Sequence, residues 1–430
     1  MIPLLYPYQE TAASWLAGRQ VGYNALEMGL GKTRVTLRAM QLAGFKRGSV
    51  ICPAVVREMW REEAKNFNIE LVVDSYDRVT SNPEARTAIL GGAVGSTPVL
   101  ILDEAHYLKS WSAQRTNVIL GSGDGLFAQV RRSETDGARG RVWMLSGTPM
   151  PRNPSELYPV MYAAGLYDGN YQSFLDRFCV YKVTRYGVKV TGHRNLKELQ
   201  TLLRLSRDPN SNPFLLRLKA SWVAKDLPPL RWGMIPLDVE DLSGLESLDA
   251  STLGALRNGT LPPMSANLAR WLHKVGDLKA HAAVDLLRNE LSSDVECKRV
   301  VFAHHKSVIE TLHRGLEEFG IVTLTGDTPE WRRTDARQTF RHDPRCRVFL
   351  GQVTACSHGL DGLQYAAHEI VLVEPVWASH INVQAAHRLA RLGQTKPVQV
   401  RMLSLANTPD RWVIAQHHRE VQLVSEVIDT

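Results

Sequence analysis

Cysteine is scarce in this chain and unpatterned. The five cysteines, at 52, 179, 297, 346 and 356, are odd in number, scattered, and never form a CxxC pair. This argues against a disulfide framework and a structural zinc site, and for a reducing compartment. Long apolar runs are also missing. No stretch approaches the roughly 18 residues that a bilayer crossing needs, so no membrane association is expected. Met1 to Glu10 has neither a basic leader nor an apolar core, so no signal peptide is expected. Internal repeats and low-complexity tracts are absent. Acid is in modest deficit: 51 Lys and Arg against 44 Asp and Glu leave a net charge of +7. That suggests an anionic partner, though many basic proteins bind no nucleic acid. The expectation is a soluble, intracellular protein.

What is present suits buried cores, since 44% of the residues are hydrophobic. The 430 residues fit two domains rather than one. Short apolar runs recur, each ending in polar or Gly/Pro residues. Ser49 to Pro53, Val99 to Asp103 and Val142 to Ser146 lie early; Val300 to Ala303, Val348 to Leu350 and Ile370 to Glu374 lie late. Continuous rather than alternating apolarity predicts burial on both faces, hence parallel sheets under helices. Amphipathic stretches between the runs, such as Val55 to Phe67 and Lys306 to Phe319, predict those helices. The chain therefore reads as α/β. From about 155 to 295 strand signals are few, and the stretch reads mainly as helical, with a break at Lys225 to Pro229. The domain boundary is placed there, giving 1–225 and 226–430, with helical insertions from about 155 and at about 240–290. Residues 121–141 hold five glycines and four arginines and read as a mobile loop.

Gly29-Leu30-Gly31-Lys32-Thr33 follows an apolar segment and opens a helix. Glycines there let backbone N–H groups turn inward around phosphate oxygens, which a helix N-terminus also attracts. Lys32 would reach the β and γ phosphates, and Thr33 would ligate Mg²⁺. The pattern G-x-x-x-x-G-K-S/T is incomplete, because Leu26 stands at its first Gly. Asp103-Glu104-Ala105-His106 ends an apolar strand, where ligands bind in open α/β sheets. Asp103 would hold the metal, directly or through water, and Glu104 would orient and deprotonate the attacking water. Gln384, Arg388 and Arg391 are spaced i, i+4, i+7, which predicts one helix face; two arginines on it could neutralise a γ-phosphoryl group across a cleft, or form an exposed basic helix that binds DNA phosphates. The adjacent histidine pairs, 304–305 and 417–418, cannot share a face and are not read as metal ligands.

In this order the motifs resemble the Swi/Snf-type ATPases of helicase superfamily two, over nearly the whole chain. Leu5 to Gln9 is similar to the family's adenine-reading glutamine motif, and Glu27 to Thr33 to its motif I. Ile51-Cys52-Pro53 with Trp60 resembles motif Ia, and Asp74 to Asp77 the S-Y-D segment. Leu102 to Lys109 resembles motif II, Leu145 to Pro149 motif III, and Gln384 to Gln394 motif VI. Val301 to Lys306, Leu324 to Thr328 and Phe214 to Lys219 resemble the annealing-helicase (HARP-type) branch more narrowly. Motif V, near His358 to Leu363, looks two residues longer than usual and lacks the double glycine; Leu26 and His387 each replace a usual Asp.

The resemblance implies two RecA-like lobes, each a mainly parallel sheet flanked by helices. It implies ATP and Mg²⁺, with Gln9, Gly29, Leu30, Gly31, Lys32, Thr33, Arg34 and Gln384 at the nucleotide, and Arg388 and Arg391 as catalytic arginines beside Lys32, Asp103 and Glu104. It implies a DNA track touching Thr148, Pro149 and Arg152. The segment Trp331 to Arg347, with six arginines against two aspartates, adds Arg332 and Arg333 as contact candidates. The implied function is translocation on double-stranded DNA with remodelling or reannealing of forks and junctions. Two rivals stand beside it: a strand-separating DNA or RNA helicase, and a non-catalytic DNA-binding protein with a decayed site. Duplex or branched DNA is the expected partner, together with replication or recombination proteins, and the chain is expected to act as a monomer. Its bare-motor size suggests the cytoplasm or nucleoid of a bacterium, or a phage-infected cell.

Overall fold

The computed structural model describes residues 4–430 apart from 95–98, 136–137, 185–186, 207–209, 211, 224–226, 243, 259–261, 263, 357–359, 413, 416–425, 427 and 429–430. The chain forms two compact units, Met1–Ala224 with Leu423–Thr430, and Lys225–Gln422.

Unit 1 is built on strands β1 (Val21–Asn24), β2 (Arg47–Cys52), β3 (Glu70–Ser75), β4 (Val99–Asp103), β5 (Arg141–Leu145), β6 (Leu205–Ser206) and β7 (Leu215–Leu216). Their order in the sheet is β6-β7-β1-β5-β4-β2-β3, and every pairing is parallel. All five residues of β4 are buried, as its unbroken apolar run predicts for a central strand. Helices α1 (Pro7–Ala17), α2 (Lys32–Leu42) and α3 (Arg57–Asn66) connect or cover these strands. On α3 the inward face is Trp60 and Ala64, an i, i+4 pair. The register places the functional segments. Asn24 pairs with Leu145 and Leu216, and Leu145 pairs with Asp103. Four chain segments therefore leave the sheet side by side at its carboxyl edge, beginning at Ala25, Glu104, Ser146 and Arg217.

Unit 2 carries β8 (Leu230–Leu237), β9 (Arg299–Ala303), β10 (Ile321–Leu324), β11 (Val348–Gln352), β12 (Glu369–Leu372) and β13 (Val398–Leu405), in the order β8-β13-β12-β9-β11-β10, again all parallel. Its main helices are α4 (Ala266–Ser293), α5 (Lys306–Leu316), α6 (Glu330–His342) and α7 (Ser379–Ala386). Two parallel sheets with their helices are the RecA-like α/β architecture expected.

Two local expectations change. The stretch 155–295 is not only helical: it holds a hairpin, Cys179–Thr184 with Gly187–His193, and the eight-residue β8. Strand β8 was hidden because it is an edge strand. Among the described residues it pairs only with β13, its exposure largely alternates, and Gly233 and Pro236 interrupt its apolar pattern. Within 121–141 the glycine-rich composition conceals a helix, Leu126–Arg132, anchored by buried Leu126, Phe127 and Val130. A short hairpin follows, pairing Glu134–Thr135 with Ala138–Arg139.

At the carboxyl edge of the second sheet, buried Glu374 organises the chain after β9. Its Oε2 accepts from the His304 and His305 N–H groups at 2.8 and 2.9 Å, and the His305 ring lies 2.6 Å from Oε1. Helix α4 makes room with Gly276, where a Cβ would sit 2.1 Å from Glu374 Oε1. Burial pushes the Glu374 carboxyl up, but these hydrogen bonds outweigh it and hold the group below the usual glutamate range. A depressed carboxylate stabilises the fold above its unfolded pKa, and that contribution is lost as pH falls through the folded value. Glu374→Gln is therefore expected to lower stability by about 1–3 kcal/mol at neutral pH. Urea melts of mutant and wild type should converge as pH drops below the ordinary carboxylate range.

Candidate nucleotide-binding site

The loop after β1 turns on Gly29 and Gly31, at φ 81° and 78°. Both lie in the left-handed region, which glycine enters without strain. Gly31 has a second reason to lack a side chain: a Cβ would sit 2.4 Å from Gln9 Nε2. Gln9 is buried at the start of α1. Its Nε2 donates to the Leu30 carbonyl at 3.0 Å and its Oε1 accepts from the Tyr6 N–H at 3.0 Å. In this arrangement the glutamine braces the loop. Leu26, the departure from the usual pattern, has its side chain fully buried and uses only its backbone: its carbonyl accepts from Lys32 Nζ at 3.1 Å. Burial lowers the Lys32 pKa, against the raising pull of Glu104 and Asp103. Arg34, expected at the nucleotide, instead pairs with Glu63 of α3 at 2.6 Å on an exposed face.

Asp103 is held in a dry corner. Trp60 Nε1 donates to its Oδ2 at 2.8 Å, and the buried Tyr76 hydroxyl donates to its carbonyl at 2.8 Å. Burial, and then the neighbouring Glu104 charge, push the Asp103 pKa up to about 7. Glu104 sits at φ 50°, a strained backbone for a non-glycine residue, and this turns its side chain out of the strand. Its Oε2 lies 3.2 Å from His106 Nδ1 and 3.4 Å from Ser146 Oγ. Ser146 Oγ is 3.0 Å from His106 Nδ1 and accepts from the Thr148 N–H at 3.0 Å. One hydroxyl thus ties the acidic motif after β4 to the segment after β5.

Arg217 was not singled out from the sequence as a site residue. It is buried, and its Nη1 donates to the carbonyls of Ala25 at 2.8 Å and Gly147 at 3.0 Å. It joins the root of the phosphate loop to the segment after β5, and its charge contributes to lowering the Lys32 pKa. The signal was an arginine inside the apolar run Phe214 to Leu218, which predicts a buried cation with dedicated partners.

The donor set fits Mg²⁺ with a triphosphate. Two adjacent carboxylates, one buried and already pushed toward protonation, face a single lysine, and a hard cation with oxygen ligands would offset that cost. Asp103 and half-buried Thr33 are the residues that would hold it.

In unit 2 the expected shared helix face is not formed. Helix α7 ends at Ala386, and the chain continues in tight turns, with Arg388 and Leu389 N–H bonded to the carbonyls three residues back. Leu389 and Ala390 are buried, so core packing draws the chain off the helical path. Arg388 and Arg391 still converge, because the Nη1 of each donates to the Leu360 carbonyl at 3.1 Å. Gln384 is fully buried on α7, and among the described residues neither amide atom has a hydrogen-bond partner.

The expected DNA contacts divide. Arg332 is exposed, its guanidinium 4.9 Å from the exposed Trp331 ring. Arg333 is corrected to a structural role: it is buried and donates to the carbonyls of Thr328, Ala355 and Thr325 at 2.9, 3.2 and 2.8 Å. Thr148 and Pro149 are buried, and Arg152 is half-buried.

A parallel sheet with a glycine loop, a lysine and paired acids at its carboxyl edge defines a nucleoside-triphosphatase type of site. No family model matches the chain. Curated relatives do. The mouse DNA annealing helicase and endonuclease ZRANB3 is 27% identical over 443 residues, covering 94% of this chain and 38% of that protein. The Caenorhabditis elegans homolog of SWI/SNF-related matrix-associated actin-dependent regulator of chromatin subfamily A-like protein 1 is 27% identical over 455 residues, covering 98% of this chain and 62% of that protein. A solved structure, the Sulfolobus solfataricus SWI2/SNF2 ATPase core in complex with dsDNA, shares 17% identity over 99% of this chain and 93% of that one, at a TM-score of 0.41. In its motifs and in these relatives the chain is similar to the Swi/Snf-type ATPases of helicase superfamily two, a likeness that implies use of ATP. The chain spans about two fifths of the length of the ZRANB3 proteins it matches. These curated relatives come from animals, including mouse, frog, worm and fly. That overturns the expectation of a bacterium or phage-infected cell.

Arg217→Met would leave two carbonyls without their donor, at about 1–3 kcal/mol each. The expected outcome is a lowered unfolding midpoint, together with a smaller rise in that midpoint when ATP is added. Thermal melts at several ATP concentrations read both effects.

Proposed function

We propose that the chain is an ATP-driven translocase on double-stranded DNA that remodels or reanneals forks and junctions. The observation that carries the reading is the convergence at one sheet edge of Lys32, Asp103, Glu104 and the Ser146 link, in a chain similar over 94% of its length to part of a protein named as a DNA annealing helicase. Lys32 would leave the Leu26 carbonyl for the β and γ phosphates. Asp103 and Thr33 would hold Mg²⁺, which supplies charge neutralisation at the phosphate oxygens. Glu104, aimed by its strained backbone, would orient the attacking water and accept its proton. Arg388 and Arg391 would stabilise charge on the γ-phosphoryl group, a contribution of about 10³–10⁵ in rate for such arginines. ATP binding would engage them and hydrolysis would release them, and that alternation is what stepping along the duplex would use. The basic residues that grip the track would do so through phosphates, since a motor must not prefer one base.

Lys32→Ala is expected to abolish turnover. Arg391→Ala should leave ATP binding within a few-fold while hydrolysis is lost; equal loss of both would count against its catalytic role. ATPase rates should be compared with duplex, single-stranded, forked and four-way DNA and with RNA. Duplex-containing DNA should stimulate most, with forks and junctions at least equal to linear duplex, and added salt should suppress the effect. Stimulation by single strands or RNA alone would instead favour a strand-separating helicase. No ATPase under any condition would favour a DNA-binding protein with a decayed site.

A further inference from the structure

This inference rests on the reading of Arg391 as a group that stabilises charge on the γ-phosphate. Of the motif V segment His358 to Leu363, which looks longer than its family pattern, 358 and 359 lie outside the described residues; from Leu360 to Gln364 the chain is stitched to the turn that carries the arginines. The Leu360 carbonyl accepts from Nη1 of both Arg388 and Arg391. The next residue, Asp361, places Oδ1 3.4 Å from Arg391 Nη1. That carboxylate is itself held. The Gly362 N–H donates to Oδ1 at 2.8 Å and Gln364 Nε2 at 3.2 Å, while the same Nε2 lies 3.4 Å from the Leu392 carbonyl. Gly362, at φ 98°, permits the tight turn. The side chains of Asp361 and Arg391 are 67% and 22% exposed. The ion pair is thus wet, long and easily broken, whereas the shared carbonyl is a neutral anchor independent of it.

We propose that Asp361 is a charge latch: in the resting state it neutralises Arg391 and competes for it with the γ-phosphate, and DNA stimulates hydrolysis in part by breaking that pair. A brace would need no charge, since the Leu360 carbonyl already orients both guanidinium groups. What Asp361 adds is a counter-charge at a solvent-exposed position. An approaching phosphate backbone raises the energy of that carboxylate and leaves the neutral anchor alone.

Asp361→Asn is the decisive variant, because its amide oxygen can still accept from Gly362 and Gln364 while the charge is gone. The DNA-free ATPase rate should rise about two- to fivefold, the range for an exposed ion pair. The stimulation factor with duplex DNA should fall correspondingly. The gap between mutant and wild type should also narrow as ionic strength rises, which a purely structural role would not produce. Asp361→Ala loses the loop hydrogen bonds as well and should not reproduce the gain. An unchanged or lower DNA-free rate in Asp361→Asn overturns the latch. A raised rate in a protein that no DNA stimulates would overturn both the release by DNA and the translocase reading, whereas an unchanged Asp361→Asn rate in a protein that duplex DNA does stimulate overturns the latch alone, so the two failures are separable.

Discussion

A carboxylate kept out of water at the end of a fully buried strand is the constraint from which the rest of unit 1 follows. Charged Asp103 is costly in that position, and the cost is met locally by the Trp60 indole, the Glu104 N–H and the Lys32 ammonium. Each of those groups needs its own support. Trp60 must be fixed on α3, so α3 docks through Trp60 and Ala64. Lys32 must reach in from a glycine turn, so Gln9 fills the space above Gly31. Arg217 then ties the loop's root to the segment after β5. The parallel register makes this possible, because it delivers all four segments to one edge.

The sequence was most legible where burial on two faces leaves a continuous apolar run. Strands β2, β4, β5, β9, β11 and β12 were visible in that way. Strand β8 was not, since an edge strand alternates and tolerates Gly and Pro. Charge was legible and its use was not. Arg333 looked like one more basic residue in a track-binding segment. Its spacing to buried Ala336 and Phe340, i+3 and i+7, already placed it on the inward face of α6. Arg217 had the same signature inside an apolar run. An arginine in register with core residues is better read as a buried strut than as a phosphate contact.

The i, i+4, i+7 spacing of Gln384, Arg388 and Arg391 failed for a different reason. Periodicity identifies a common face only while the helix lasts, and α7 stops before the first arginine. Below Ala386 the chain follows Leu389 and Ala390 into the core, and a third-residue hydrogen-bond pattern takes over. The arginines nonetheless meet, because a backbone carbonyl from a different segment gathers them. Convergence here is a tertiary effect, which spacing along one helix could not reveal.

Departures from the family pattern sort by whether the backbone or the side chain does the work. Leu26 stands where a glycine or an acid is usual, yet what the site takes from that position is a carbonyl, which any residue supplies. His387, replacing another acid, places its ring nitrogen 3.2 Å from the Ala390 carbonyl and so helps close the turn that bears the arginines. The segment at Asp361 differs in kind, since it sets a side-chain charge 3.4 Å from a group whose own charge is its proposed function. A neutral replacement can be absorbed by packing. A carboxylate next to Arg391 would alter when that guanidinium is available, so this position, rather than Leu26 or His387, is where regulation of the arginine would act.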